Sequence, residues 1–236
     1  MNRLIKTLEK MNIEISPETL EKFQGYMEDI LELNEHINLT AIRREDEFIE
    51  KHYLDSVVLG QFEEIKKAGK ILDLGTGAGF PGIPLALLFP EKEFVLVDSL
   101  NKRLKIIDEL CQKYSINNVT LIHGRAEELG RKPELRDGFD LCISRAVASM
   151  PVLAEYCLPF VKVGGRMVAY KGPDASIELE KAAKAIRLLS GELDRVENVK
   201  IMDSDLEHNL VFIKKTGRTP KAYPRKPGTP AKEPLQ

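Results

Sequence analysis

The sequence contains no apolar run approaching the roughly 18 residues that a membrane-spanning helix needs. It has no Cys-x-x-Cys pair among its three cysteines, Cys111, Cys142 and Cys157, and none of its four histidines lies near a cysteine at metal-ligand spacing. An odd set of widely spaced cysteines in apolar surroundings argues against a disulfide framework and a zinc site, and leaves small buried hydrophobes in a reducing compartment. No internal repeat is present. The opening stretch, Met1 to Glu14, reads as an amphipathic helix of mixed charge rather than a cleavable signal, so a cytoplasmic location is expected. Neither sign of charge dominates overall: the net charge is −2 over 236 residues.

The charge is unevenly spread. Residues 1–66 hold fifteen acidic and eight basic side chains. Residues 214–236 hold seven basic ones (Lys214, Lys215, Arg218, Lys221, Arg225, Lys226 and Lys232) against Glu233 alone. Such asymmetry fits either a polyanionic partner for the basic end or a solvated, disordered tail. Hydrophobic residues at 43% and charged residues at 31% suit a single α/β domain with an added element of some tens of residues.

Three segments follow. Residues 1–66 read as helices, with Ser16-Pro17 as N-cap and first helical position before Leu20, Phe23, Met27, Ile30 and Leu31 at helical spacing. A turn at Asn34 to Thr40 separates these from a helix over Phe48 to Phe62. Residues 67–216 alternate apolar β-type runs with helical patterns. The runs are Lys70–Leu74, Glu93–Val97, Val119–His123, Phe139–Ser144, Arg166–Tyr170, a stretch near Asp194–Met202, and Leu210–Lys214. Helices are expected at Ile83–Phe89, Lys102–Tyr114, Pro151–Phe160 and Ala175–Leu189, the last capped by Asp174 with Ile177, Ala182, Ile186 and Leu189 on one face. This predicts a mainly parallel sheet covered on both sides and closed by an antiparallel hairpin. Residues 217–236 carry Pro220, Pro224, Pro227 and Pro230 and are expected to be extended rather than packed.

The informative loop runs from Asp73 to Gly82. A buried strand enters Gly75, Gly77 and Gly79 and then a helix, and glycine there permits positive φ and close approach of a ligand to the backbone. The spacing is G-x-G-x-G, not the G-x-G-x-x-G of dinucleotide enzymes, and Asp73 precedes it by two residues. A carboxylate there suits a cationic amino-acid group and repels a pyrophosphate. Asp98 ends the next strand, 23 residues after Gly75, where a carboxylate can accept from both ribose hydroxyls. This combination favours S-adenosylmethionine over NAD. After the third strand, Ala126 and Glu127 stand where an adenine amine would lie, or else form an acid-rich helix start.

The fourth strand ends Ser144-Arg145-Ala146-Val147. The Asn/Asp-Pro-Pro-aromatic motif of amine methylation is absent, and Cys142 lies too early in the strand to be a pyrimidine-C5 nucleophile. Arg145 remains, as a fixed cation beside the transfer centre or as an ion-pair partner. It suits an acceptor with a free lone pair such as guanine N7, which needs orientation rather than a general base.

Together these motifs resemble the bacterial 16S ribosomal RNA guanine-N7 methyltransferases, also called glucose-inhibited division protein B. They are Asn38 to Ile42, His52 to Ser56, Asp73 to Pro84, Asp98-Ser99, Arg125-Ala126-Glu127, Ser144-Arg145-Ala146, Lys171-Gly172 and Tyr223 to Pro230. The resemblance implies a class I, Rossmann-like methyltransferase fold with a seven-stranded sheet and an N-terminal helical extension. It implies Gly75, Phe80, Ala126, Glu127 and Arg145 as cofactor contacts, beside Asp73, Gly77, Gly79 and Asp98 from the loop and strand ends. Arg145 is also the expected catalytic residue. Lys171, Arg218, Lys221, Arg225 and Lys226 are the expected contacts to 16S rRNA in the 30S subunit or an assembly intermediate. His52 and Asp55 stand for either the acceptor side or helix packing, no metal is expected, and a monomer is. An NAD-dependent dehydrogenase and a non-catalytic ribosome-binding factor are the alternatives.

Overall fold

The computed structural model describes residues 1–200 and 207–235. Among them, the strands β1 (Lys70–Leu74), β2 (Glu93–Asp98), β3 (Val119–His123), β4 (Phe139–Arg145), β5 (Val161–Lys171), β6 (Gly191–Lys200) and β7 (Glu207–Lys215) form one sheet of order β3-β2-β1-β4-β5-β7-β6. β7 runs antiparallel to β5 and β6, and the other pairings are parallel. The expected strand near Asp194–Met202 is β6 as far as Lys200; its last two residues lie outside the described residues. The chain order reverses between β1 and β4, which opens a crevice at the strands' carboxyl ends.

Two-residue alternation along each strand sorts the core into two layers. Ile71, Leu141, Ile143, Val168 and Phe212 face one side, packed with α1 (Asn2–Lys10), α2 (Pro17–Asn34), the helical run from Glu45 to Gln61, α6 (Gly82–Leu88) and α7 (Asn101–Lys113). Leu72, Cys142, Met167, Val211 and Ile213 face the other, with α9 (Met150–Cys157) and α10 (Ala175–Leu188). Short helix α5 (Glu63–Lys67) leads into β1, and α8 (Ala126–Leu129) lies between β3 and β4. The N-terminal helices therefore share a core with the sheet. Full burial of each Leu, Ile or Phe contributes about 1.5–3 kcal/mol, which fixes these helices to the crevice-bearing half of the molecule. No helix of the described residues is long and apolar enough to cross a membrane.

Ser16 caps α2 as its sequence predicts, its hydroxyl accepting from Thr19 N at 3.0 Å with Pro17 in the first turn. Asn34 ends the helix and holds the following turn: its carboxamide oxygen accepts from Leu39 N and Thr40 N, and its nitrogen donates to Ile42 O. The expected helix at Phe48–Phe62 is a composite of α3 (Glu45–Phe48), a π-helical turn (Ile49–Leu54), α4 (Asp55–Val57) and a 3-10 turn (Val58–Gln61).

Two expectations are corrected. Ile177 is 54% exposed, while Ala182, Ile186 and Leu189 are buried as expected and are joined by Ala175 and Ala185; nine residues at helical pitch set Ile177 opposite Ile186. The proline-rich end is packed rather than free. Arg225 forms a bidentate pair with Glu155, a side chain with no exposed surface, and its backbone nitrogen donates to the same carboxylate at 2.7 Å. Arg136 donates to the carbonyls of Thr219 (2.7 Å) and Tyr223 (3.0 Å), and Pro230 is buried in α11 (Thr229–Lys232). Lys215, counted above with the basic end, is fully buried and donates to Leu158 O and Thr219 Oγ1. The segment is a strap across α8 and α9.

Candidate functional site

The glycine turn after β1 has the conformation its sequence requires. Gly75, Gly77 and Gly79 have φ of 74°, 62° and 92°, in the region that favours glycine. A side chain built on Gly77 would meet nothing within 4 Å, whereas one on Gly75 would run into Val147 and one on Gly79 into Tyr26 and Ile83, so the open space lies at Gly77. Beneath it Asp73 is fully buried. Its Oδ2 accepts from Thr76 Oγ1 (2.7 Å) and Gly82 N (2.9 Å), while Oδ1 is buried with no partner among the described residues. Burial, only partly offset by those two bonds, raises the carboxyl to about 6. An unpartnered buried carboxylate oxygen beneath a glycine turn fits a ligand ammonium and does not fit a pyrophosphate.

Asp98, at the end of β2, accepts from Gly77 N (2.9 Å) through Oδ2 and from Leu100 N (2.8 Å) through Oδ1. Each oxygen keeps a second lone pair, so a pair of ribose hydroxyls still has acceptors there. Ala126 opens α8 and is half-buried; Glu127 beside it is buried, and its Oε1 accepts from Gly228 N at 2.9 Å. The strap thus reaches the expected adenine end of the crevice.

Arg145 ends β4 and turns toward the N-terminal helices. Its guanidinium donates to Lys51 O (3.0 Å), to His52 Nδ1 (3.1 Å) and to the Asp55 carboxylate. The π turn supplies Lys51 and His52 and Asp55 follows it as the first residue of α4, so the three acceptors meet a single strand end. Arg145 can only donate, so His52 Nδ1 carries the lone pair and Nε2 the proton, which goes to Thr40 Oγ1 (2.8 Å). Burial and the Arg145 charge push His52 down to about 3, so it is neutral at physiological pH. Its ring stacks on Phe80 at 4.3 Å with the planes 3° apart, and Phe48 and Tyr53 pack edge-on to Phe80. Phe80, expected at the cofactor, is buried in this aromatic cluster, on the Arg145 side of the turn.

Asp55 is 1% exposed and has a second partner that the sequence did not reveal: its Oδ1 bonds His208 Nδ1, from β7. Burial raises the Asp55 carboxyl, but the His208 hydrogen bond and the Arg145 charge outweigh it and hold it below the ordinary value. The same bond raises His208. Arg145, Ala146, Lys171, Gly172, Glu178 and His208 line a cleft of about 460 Å³ here. Ala146 has φ of 57°, a strained value for a residue with a side chain, and the turn is held by Lys171 Nζ, which donates to Ala148 O (2.7 Å) and Glu178 Oε2 (2.8 Å).

Lys171 and Arg225, expected among the RNA contacts, are therefore committed to internal carboxylates, because each lies beside a buried or half-buried glutamate that needs a cation. Arg218, Lys221 and Lys226 are exposed. Cys142 is fully buried, and burial lifts its thiol well above the ordinary range, which suits core packing. The crevice divides into a β1–β2–β3 half with the acidic and glycine groups and a β4–β5–β7 half with the Arg145 cluster.

Residues 19–209 match the family rRNA small subunit methyltransferase G (GidB). The chain belongs to this family. It is 49% identical over 227 residues to ribosomal RNA small subunit methyltransferase G of Clostridium novyi, covering 96% of this chain and 93% of that one. The counterpart in Clostridium tetani is 48% identical, over 91% and 90%. Among solved structures, an O-methyltransferase from Bacillus cereus in complex with SAH superposes with a TM-score of 0.56 at 16% identity, over 81% of this chain and 91% of that one. Aeropyrum pernix fibrillarin with natively bound S-adenosyl-L-methionine gives 0.53 at 17%, over 70% and 75%. These likenesses establish the class I methyltransferase fold. In this crevice, the sequence did not single out His208, Thr40 or Glu178; only Thr40 carried a signal, through the Asn38 to Ile42 motif.

Proposed function

We propose that this protein transfers a methyl group from S-adenosylmethionine to N7 of a guanosine in 16S ribosomal RNA. The observation that carries the reading is the buried Asp73 carboxylate, with one oxygen unpartnered at an open glycine turn, in a chain of the small-subunit rRNA methyltransferase family. Asp73 would hold the cofactor's ammonium, Gly75, Gly77 and Gly79 would admit its methionine end, Asp98 would take the ribose, and Ala126 and Glu127 the adenine. The bound cofactor supplies an electrophilic methyl group on a sulfonium.

The residues of the acceptor half orient and do not ionise the nucleophile. Guanine N7 carries no proton, so its lone pair attacks once aligned, and alignment can contribute on the order of several kcal/mol. Arg145, with the guanidinium fixed by three acceptors, is the catalytic residue, placing the base beside the methyl group. The exposed Arg218, Lys221 and Lys226 supply phosphate contacts, while Lys171 and Arg225 act indirectly by holding the turn and the strap. Such a substrate places the enzyme in the cytoplasm, with 16S rRNA in the 30S subunit as its partner.

The test is transfer of labelled methyl to 30S subunits, with affinity followed against salt. Label should appear as 7-methylguanosine, and replacing Arg218, Lys221 and Lys226 by alanine should flatten the slope of log affinity against log salt, as fewer phosphate contacts release fewer counterions. Label absent from RNA refutes the reading.

A further inference from the structure

The acceptor half of the crevice holds a paired acid and imidazole that the orientation account leaves unused. Asp55 is buried and its carboxylate is shared by Arg145 and His208. A carboxylate only accepts, so His208 must present its Nδ1 proton to Asp55. In the neutral ring, that leaves the Nε2 lone pair for the cleft, which His208 lines beside Arg145 and Gly172. Nε2 has no partner among the described residues. The charged groups around it are settled: Arg145 from β4 is bound to Asp55, Lys171 from β5 and Glu178 from α10 are paired with each other, and His52 is neutral. Lys51 is exposed and pairs with Glu47. Tyr170, whose hydroxyl burial lifts well above its ordinary value, donates to Ser56 O.

We propose that His208, oriented by Asp55, accepts the N1 proton of the acceptor guanine as N7 is methylated. This rests on the guanine-N7 reading above. The N7 lone pair forms the bond to the methyl carbon while the methyl–sulfur pair stays on sulfur, and the purine gains one positive charge. That charge acidifies N1–H. The N–H electron pair stays on N1, the proton moves to His208 Nε2, and the imidazolium is held by the Asp55 carboxylate. The purine ends the step neutral. The His208 side chain is 26% exposed, so the proton can pass on to water. No base is needed to make the nucleophile; the base lets the positive charge that has passed from sulfur to the purine leave the crevice as a proton.

Two measurements decide it. In the protein without ligands, ¹⁵N imidazole resonances should show His208 titrating above its ordinary value of 6.5, with the neutral ring protonated at Nδ1. A neutral ring protonated at Nε2 overturns the proposal. For methylation of 30S subunits, kcat/KM should rise with pH along a limb at that same midpoint. His208→Gln keeps the size but cannot take a proton, so it should abolish the limb and lower kcat/KM by about a hundredfold, with affinity for adenosylhomocysteine unchanged. Formation of 7-methylguanosine with the limb intact in His208→Gln overturns the role of His208 alone. A wild-type product lacking 7-methylguanosine overturns the guanine-N7 reading and this proposal together.

Discussion

Asp73 offers a quantitative test of the cofactor site, because its buried carboxyl titrates within an accessible range. Its value is raised from 3.8 to about 6, a penalty of about 3 kcal/mol for holding the charge at this buried position. The folded protein therefore binds more protons than the unfolded chain between pH 4 and about 6, and this group's contribution to stability falls as pH rises through that window. A ligand ammonium at the unpartnered Oδ1 reverses the preference by favouring the charged form. If only ionised Asp73 binds well, affinity for adenosylhomocysteine should rise about tenfold from pH 5 to pH 7. Asp73→Asn keeps an acceptor for Thr76 and Gly82 but removes the charge. It should weaken binding by about 1.5–3 kcal/mol and leave affinity flat with pH. Isothermal titration at pH 5, 6 and 7 on both proteins reads this directly. Equal affinities at pH 7, or the same pH slope in the variant, would refute the assignment of Asp73 to the ammonium.

Arg225→Ala strands the Glu155 carboxylate, which has no exposed surface, and should cost about 3–5 kcal/mol, releasing the strap to trypsin near Arg218 and Lys221. Replacing both partners by methionine should restore most of that stability, and a strap that stays protected in Arg225→Ala would show the pair is idle. Burial lowers Lys215 to about 8, so the unfolded chain binds more protons between pH 8 and 10.5 and wild-type stability should rise with pH there. Lys215→Met should remove that rise in thermal melts, and an unchanged profile would place the titration elsewhere. Cys142→Ser should keep substantial methyl transfer, since its thiol is a core group paired in space with Cys157; a trapped enzyme–RNA adduct would contradict this.

Most of the sheet was legible because buried parallel strands are apolar runs bounded by turn residues, as in Lys70–Leu74 and Glu93–Asp98. β5 begins five residues earlier than its apolar run, since Val161 to Gly165 include exposed positions and a left-handed Gly164. The glycine turn and Asp98 were legible because their chemistry is local. The Arg145 cluster was only half legible. His52 and Asp55 share a helix, but His208 lies 153 residues from Asp55 and its pairing leaves no periodicity in sequence. The strap misled for the same reason: its prolines and charges describe an exposed segment, while Arg225 finds its carboxylate 70 residues upstream.

The central claim, that the Arg145 side of this crevice directs methyl transfer to N7 of a 16S guanosine, is tested most directly in ribosomal RNA itself. Nucleoside mass spectrometry with site mapping should compare 16S rRNA from a strain lacking this protein, from the same strain complemented with wild type, and with Arg145→Ala. One 7-methylguanosine should be absent from the first, restored by the second and missing or greatly reduced with the third, at equal protein levels. A 16S modification profile unchanged by loss of the protein, or full restoration by Arg145→Ala, would contradict the account.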